Sequence, residues 1–80
     1  MHEMHLLKDL FEDLLRHAEQ RNIRKITKVY IRMGMLTEID PDILIFFFRE
    51  HSKGTVAEGA EIEIKSSESR ELALDSFDGE

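Results

Sequence analysis

The chain has 80 residues, no cysteine, and 17 acidic against 11 basic residues, for a net charge of −6. That length makes one domain with a limited core, and the missing cysteines exclude a disulfide framework, a thiolate nucleophile and a cysteine-based zinc site. The basic residues are scattered among the acids without a basic stripe, which argues against a nucleic-acid partner.

Small secreted domains usually need disulfide staples, so a reducing, cytoplasmic setting is expected. Glu3, Lys8 and Asp9 interrupt any apolar signal region near the start. The longest apolar run, Ile43 to Phe48, is too short to span a bilayer, so no membrane role is expected.

Met1-His2-Glu3 is the stretch with the most specific chemistry. An α-amine, the next backbone amides and the His2 imidazole can form fused chelate rings around one metal ion. Met1 is expected to be retained, because a bulky second residue blocks its removal. The donor set is nitrogen-rich and suits the planar geometry of Ni(II) or Cu(II). His5 follows at helical spacing and is a further candidate ligand.

Leu6, Leu7, Leu10, Phe11, Leu14, Leu15 and Ala18 recur at helical spacing, with charged residues on the other side. They predict an amphipathic first helix of four to five turns, with Asn22 as its C-terminal stop. His17 falls on the polar side and reads as a solvated histidine. From Ile26 to Met33 the period becomes two: Thr27, Val29, Ile31 and Met33 alternate with Lys28, Tyr30 and Arg32, and Gly34 ends this strand.

Asp40-Pro41-Asp42 is a helix start, with Asp40 capping free N–H groups and Pro41 in the first turn. The second helix is expected to run to about Ser52, with Gly54 beyond its end. Its run Ile43-Leu44-Ile45-Phe46-Phe47-Phe48 is more than one face can bury against a sheet. Either Ile45 or Phe47 is exposed and offers an interface, including to a second copy, or the first helix covers the excess. Ala60, Ile62 and Ile64 alternate with Glu61, Glu63 and Lys65 in a second strand. Leu72 and Leu74 alternate with Glu71, Ala73 and Asp75 in a third. Ser66-Ser67-Glu68-Ser69 between them predicts an antiparallel hairpin, and Asp78-Gly79-Glu80 a frayed end. Glu61 and Glu63 are expected to pair with Lys28 and Arg32. The order α-β-α-β-β predicts an α+β two-layer sandwich, two helices on one face of a three-stranded sheet, as a single domain over residues 1–80.

Three stretches carry a resemblance: Met1-His2-Glu3, residues 25–34 (KITKVYIRMG) and residues 52–60 (SKGTVAEGA). In this order they look like the HypA/HybF nickel metallochaperones of hydrogenase maturation. The likeness runs from residue 1 to about residue 65 and resumes from Leu72 to Asp78. It implies a nickel-binding domain whose Ni(II) site is built on His2, with Glu3 beside it and backbone nitrogens of the first residues completing the set. It also implies delivery, with a maturation GTPase, to the precursor of a nickel enzyme such as [NiFe]-hydrogenase. Two departures stand out. The family's zinc domain, with its paired Cys-x-x-Cys motifs, is replaced by a short turn at about residues 66–69, so no structural zinc is expected. His5 stands where the family usually has serine.

The expected mechanism is carriage without catalysis. Met1 supplies its amine, His2 its imidazole, and the amides of His2 and Glu3 become anionic donors. Asp40 approaches the site only if the two helix starts lie together, and capping is its stronger role. No nucleophile–base–acid constellation or phosphate-binding glycine loop is present, so an enzyme is not expected. The alternative is a HypA-like interaction module that has lost metal delivery and acts through the apolar second helix.

Overall fold

A computed structural model describes residues 3–37 and 39–80. The apolar stripe that predicted the first helix becomes α1, Glu3–Gln20, with Leu7, Leu10, Phe11, Leu14 and Ala18 buried. Asn22 takes the left-handed conformation, φ 56°. The amide of Ile23 then reaches the Ala18 carbonyl at 2.9 Å, and that of Asn22 reaches Glu19 at 3.1 Å. This pair of bonds closes the helix end and turns the chain back into β1, Ile26–Gly34.

The second helix, α2, spans Pro41–Ser52. Asp40 Oδ1 accepts from the Asp42 amide at 2.8 Å, satisfying one of the free donors of the first turn. Gly54, at φ 80°, takes the chain away from the helix in a conformation that a side chain would strain. Strands β2, Glu61–Ser67, and β3, Leu72–Gly79, follow.

Two helices over a three-stranded mixed sheet make the expected α+β architecture, but the strand pairing differs from expectation. The sheet order is β2-β1-β3, with β1 parallel to β2 and antiparallel to β3. The hairpin expected between the last two strands is therefore absent. The reason is burial: β1 carries the most apolar inner face, and it gains most from pairing on both edges. Residues 68–71 cross the end of β1 instead of turning tightly. The connector is bonded to the turn after β1 through Gly34 N–Glu71 O at 2.7 Å, Met35 N–Ser67 O at 2.7 Å and Leu36 N–Ser69 O at 3.0 Å.

Two register shifts correct the expected alternation. One falls between Ile26 and Lys28, so Ile26 is fully buried and Thr27 exposed, the reverse of the sequence pattern. The other falls opposite Tyr30 and Ile31 and leaves Asp75 as an extra residue in β3. It brings Phe77 opposite Val29 on the inner face, where strict alternation after Leu74 would have placed Ser76. The chain end is not frayed either: Glu80 exchanges backbone bonds with Lys25, and its carbonyl also accepts from Arg24 at 2.7 Å.

The core lies between the helices and the inner sheet face, where Phe11 and Phe48 meet edge to face at 5.3 Å. α1 covers part of the apolar excess of α2. Phe47 is buried at 5% exposure and Ile45 half-buried, while Phe46 and Ile43 stand out at 65% and 54%. The expected exposure of Phe47 is corrected by helix phase: Leu44, Phe47 and Phe48 share the inner face, and Phe46 points outward.

The outer sheet face is polar and cross-paired. Lys28 meets Glu63 at 3.0 Å and Glu61 at 4.0 Å; Arg32 meets Glu71 at 2.9 Å and Asp75 at 2.6 Å. The Tyr30 hydroxyl donates to Asp78 at 2.8 Å. Arg32's partners thus lie on β3 and just before it, whereas the expectation paired it with β2. Asp75, at the bulge, lies within reach of both Arg32 and Lys65.

Two outcomes follow from this geometry. A Cβ on Gly34 would overlap the backbone of Ser69. Gly34→Ala should therefore cost about 1–3 kcal/mol in urea denaturation, because the 68–71 connector must move. The hydrogen bond from Arg32, followed by its charge and that of Lys65, holds the Asp75 carboxyl below its ordinary pKa. A depressed carboxylate stabilises the fold above its unfolded pKa, and that contribution is lost as pH falls through the lower folded value. Asp75→Asn should be less stable than the parent at neutral pH, and the difference should shrink in strong acid.

Candidate metal centre

Of the predicted site residues, Met1 and His2 lie outside the described residues, as does the Glu3 side chain. The described backbone of α1 runs from Glu3. His5 is exposed in the first turn. Asp40 is exposed, and its carboxylate is engaged by the Asp42 amide.

Topology brings these pieces to one end of the molecule. β1 and β2 are parallel, so α2, which joins them, runs opposite to both. α1 joins β1 through residues 21–25 and packs on the same core, so it too runs opposite to β1. The two helices therefore share a direction. The Phe11–Phe48 contact sets their relative height: Glu3 is eight residues before Phe11, and Pro41 seven before Phe48. At about 1.5 Å per residue the two starts come to nearly the same level. The Asp40 carboxylate is committed to the cap of α2. Among the described residues no group of three or more His, Asp or Glu side chains is placed to hold a metal.

Two parallel helix starts place two positive dipole ends on one pole. Such a pole disfavours a bare cation and favours anionic donors. Asp40 and Asp42 offset part of this field at α2, and acidic or deprotonated groups at the head of α1 would offset the rest.

The remaining histidines are elsewhere. His17 is exposed on α1, beside Arg21 and Phe77. His51, which the sequence pattern did not single out, sits in the last turn of α2. Its ring stacks on Phe47 at 3.9 Å, and Nδ1 lies 3.0 Å from the Phe47 carbonyl. A carbonyl only accepts, so Nδ1 carries the proton. The signal available for this contact was the i, i+4 pair Phe47–His51. An open groove of about 810 Å³ lined by Leu15, Arg16, Ile23, Arg24 and Val56 lies at the opposite pole from the helix starts. Its lining also includes Glu19 and Thr55, and the Thr55 hydroxyl donates to the Ser52 carbonyl at 2.7 Å.

Comparison with known proteins agrees with this fold. The family model "Hydrogenase/urease nickel incorporation, metallochaperone, hypA" matches residues 1–72. Hydrogenase maturation factor HypA of Archaeoglobus fulgidus is 44% identical over 64 residues, which are 80% of this chain and 58% of that protein. The factor of the same name from Caldanaerobacter subterraneus is 40% identical over 65 residues, 81% of this chain and 57% of that protein. The chain thus spans less than three-fifths of the length of these relatives. The solution structure of the Ni metallochaperone HypA from Helicobacter pylori has the same fold. Its TM-score is 0.71 at 18% identity, over 95% of this chain and 72% of that one. The chain belongs to the HypA family of hydrogenase and urease nickel-incorporation metallochaperones.

Proposed function

We propose that this chain is a nickel carrier for maturation of a nickel enzyme such as [NiFe]-hydrogenase, holding Ni(II) at its N-terminus. The family match that begins at residue 1 and includes Met1-His2-Glu3 is the observation that carries this reading. In it, His2 supplies an imidazole, Met1 its α-amine, and the amides of His2 and Glu3 become anionic nitrogen donors. The Glu3 carboxylate offsets charge at the head of α1. His5, one turn further on and exposed, is a reserve ligand. Asp40 acts through its cap and the local field. Ni(II) is cargo here, so an exposed, exchangeable site is suited to passing it to a maturation GTPase and the enzyme precursor in the cytoplasm. No catalytic step and no structural zinc enter this mechanism.

A second reading is favoured by one observation. Phe46 and Ile43 expose apolar surface on α2, as an interaction module without metal delivery would require.

Calorimetric titration of Ni(II) into tag-free protein separates the two. The parent should bind one equivalent with proton release, and His2→Ala should bind none while keeping the parent's circular dichroism. A variant that binds as the parent does would remove the N-terminal site. Residues added before Met1 should weaken binding, because they turn the amine into an amide. Asp40→Ala should cost about 1 kcal/mol of stability through the lost cap, with the nickel stoichiometry unchanged.

A further inference from the structure

The two outer strands of the sheet differ in how they are protected. β3 is interrupted by the bulge at Asp75, a common device against strand addition. β2 pairs with β1 in unbroken register from Glu61 to Ser67 and contains neither proline nor glycine. Its other edge faces no strand among the described residues. Ile62 and Ile64, on its inner face, are only half-buried. Beside them, a groove of about 380 Å³ opens between Ile62 and the last turn of α2. His51, stacked on Phe47, faces Phe11 of α1. Ile45 lies about 200° around the helix from Phe47, on the flank away from α1, and it too is half-buried.

The sequence of β2, Glu61-Ile62-Glu63-Ile64-Lys65, is complementary to itself when reversed. In antiparallel pairing about a two-fold axis at Glu63, Glu61 of one copy stands opposite Lys65 of the other, twice. On the inner face Ile62 stands opposite Ile64, also twice. The central Glu63 residues face each other, and each is already neutralised by its own Lys28 at 3.0 Å. Directly opposed residues bring their Cβ atoms to about 5 Å, near enough for both kinds of pair to contribute.

We infer that β2 is a self-association edge, on which a second copy of this chain adds its own β2 antiparallel to form a continuous six-stranded sheet. The apolar side chains that a partner covers are Ile62, Ile64 and Ile45. Phe46 and Ile43 stay outside this contact. The two-fold axis sends the helix-start poles to opposite ends, so neither metal end is blocked. The net charge of −6 per copy opposes association, so the dimer is concentration-dependent.

Sedimentation equilibrium from low micromolar to millimolar protein tests this with two charge reversals. Glu61→Lys changes a side chain that is 79% exposed, so its fold should be retained. The substitution sets like charges against each other, the new ammonium facing Lys65 of the second copy, and should weaken the dimer about tenfold or more. Lys65→Glu, checked by circular dichroism, should do the same. An equimolar mixture of the two variants restores both opposite-charge pairs and should dimerise. If Lys65→Glu fails to fold, the Glu61→Lys result decides. A parent that stays monomeric throughout overturns the inference. So does a dimer indifferent to Glu61→Lys, or one lost on Phe46→Glu but not on charge reversal.

Discussion

The pairing of β1 on both of its edges, parallel on one side and antiparallel on the other, organises the rest of the molecule. A parallel neighbour cannot be reached by a tight turn, so the chain must cross over the sheet to reach β2. That crossover is α2. The antiparallel neighbour β3 must then be reached across the end of β1. With α1 also running against β1, both helices begin at one pole, and β1 ends there too. The alternation of β1 separates two environments. Val29, Ile31 and Met33 lie against the helices, while Lys28, Tyr30 and Arg32 face solvent with carboxylates and a lysine from both neighbours.

The elements were legible in the sequence because their signals are local. Asn22 needed only its tolerance of positive φ, and Asp40-Pro41 only the demands of a first helical turn. The strand neighbours were not legible in the same way. Alternation says which residues share a face, and it is the same whether β2 pairs with β3 or with β1. The bulges were hidden for a related reason: an extra residue such as Asp75 shows itself only when the partner strand's register is known. Phe47 was misjudged because six successive apolar residues erase the contrast that sets helix phase. At the candidate metal end, His2 and Glu3 were legible as donor types and through the family resemblance. That Asp40 shares a pole with the start of α1 needed the topology and the Phe11–Phe48 contact. His51 was not singled out, although its contact with the ring and carbonyl of Phe47 follows a local i, i+4 spacing.

The polarity of the helices bears on the kind of metal chemistry the shared pole favours. Neutral side-chain donors alone would leave a dication beside two positive dipole ends. On the proposed reading, donors that become anionic on binding, such as backbone amides, would remove that conflict. On the proposed reading, protonation competes with nickel for those nitrogens, so release is coupled to proton uptake. The outer-face ion pairs take no part in this. They are exposed, and their main effect is to fix register among three strands that share few local signals.

The connector across the end of β1 has a consequence for architecture. It leaves one outer strand and enters the other, spanning two strand spacings, about 9–10 Å. A body spliced into residues 68–71 would be tethered at two points, one on each flank of the sheet, and no strand pairing would have to break to admit it. It would stand over the pole where both helices begin. The position is a socket: it can be filled or closed without rewriting the core, and whatever fills it becomes a canopy above the start of α1. In this chain the socket is closed by backbone bonds from Gly34, Met35 and Leu36.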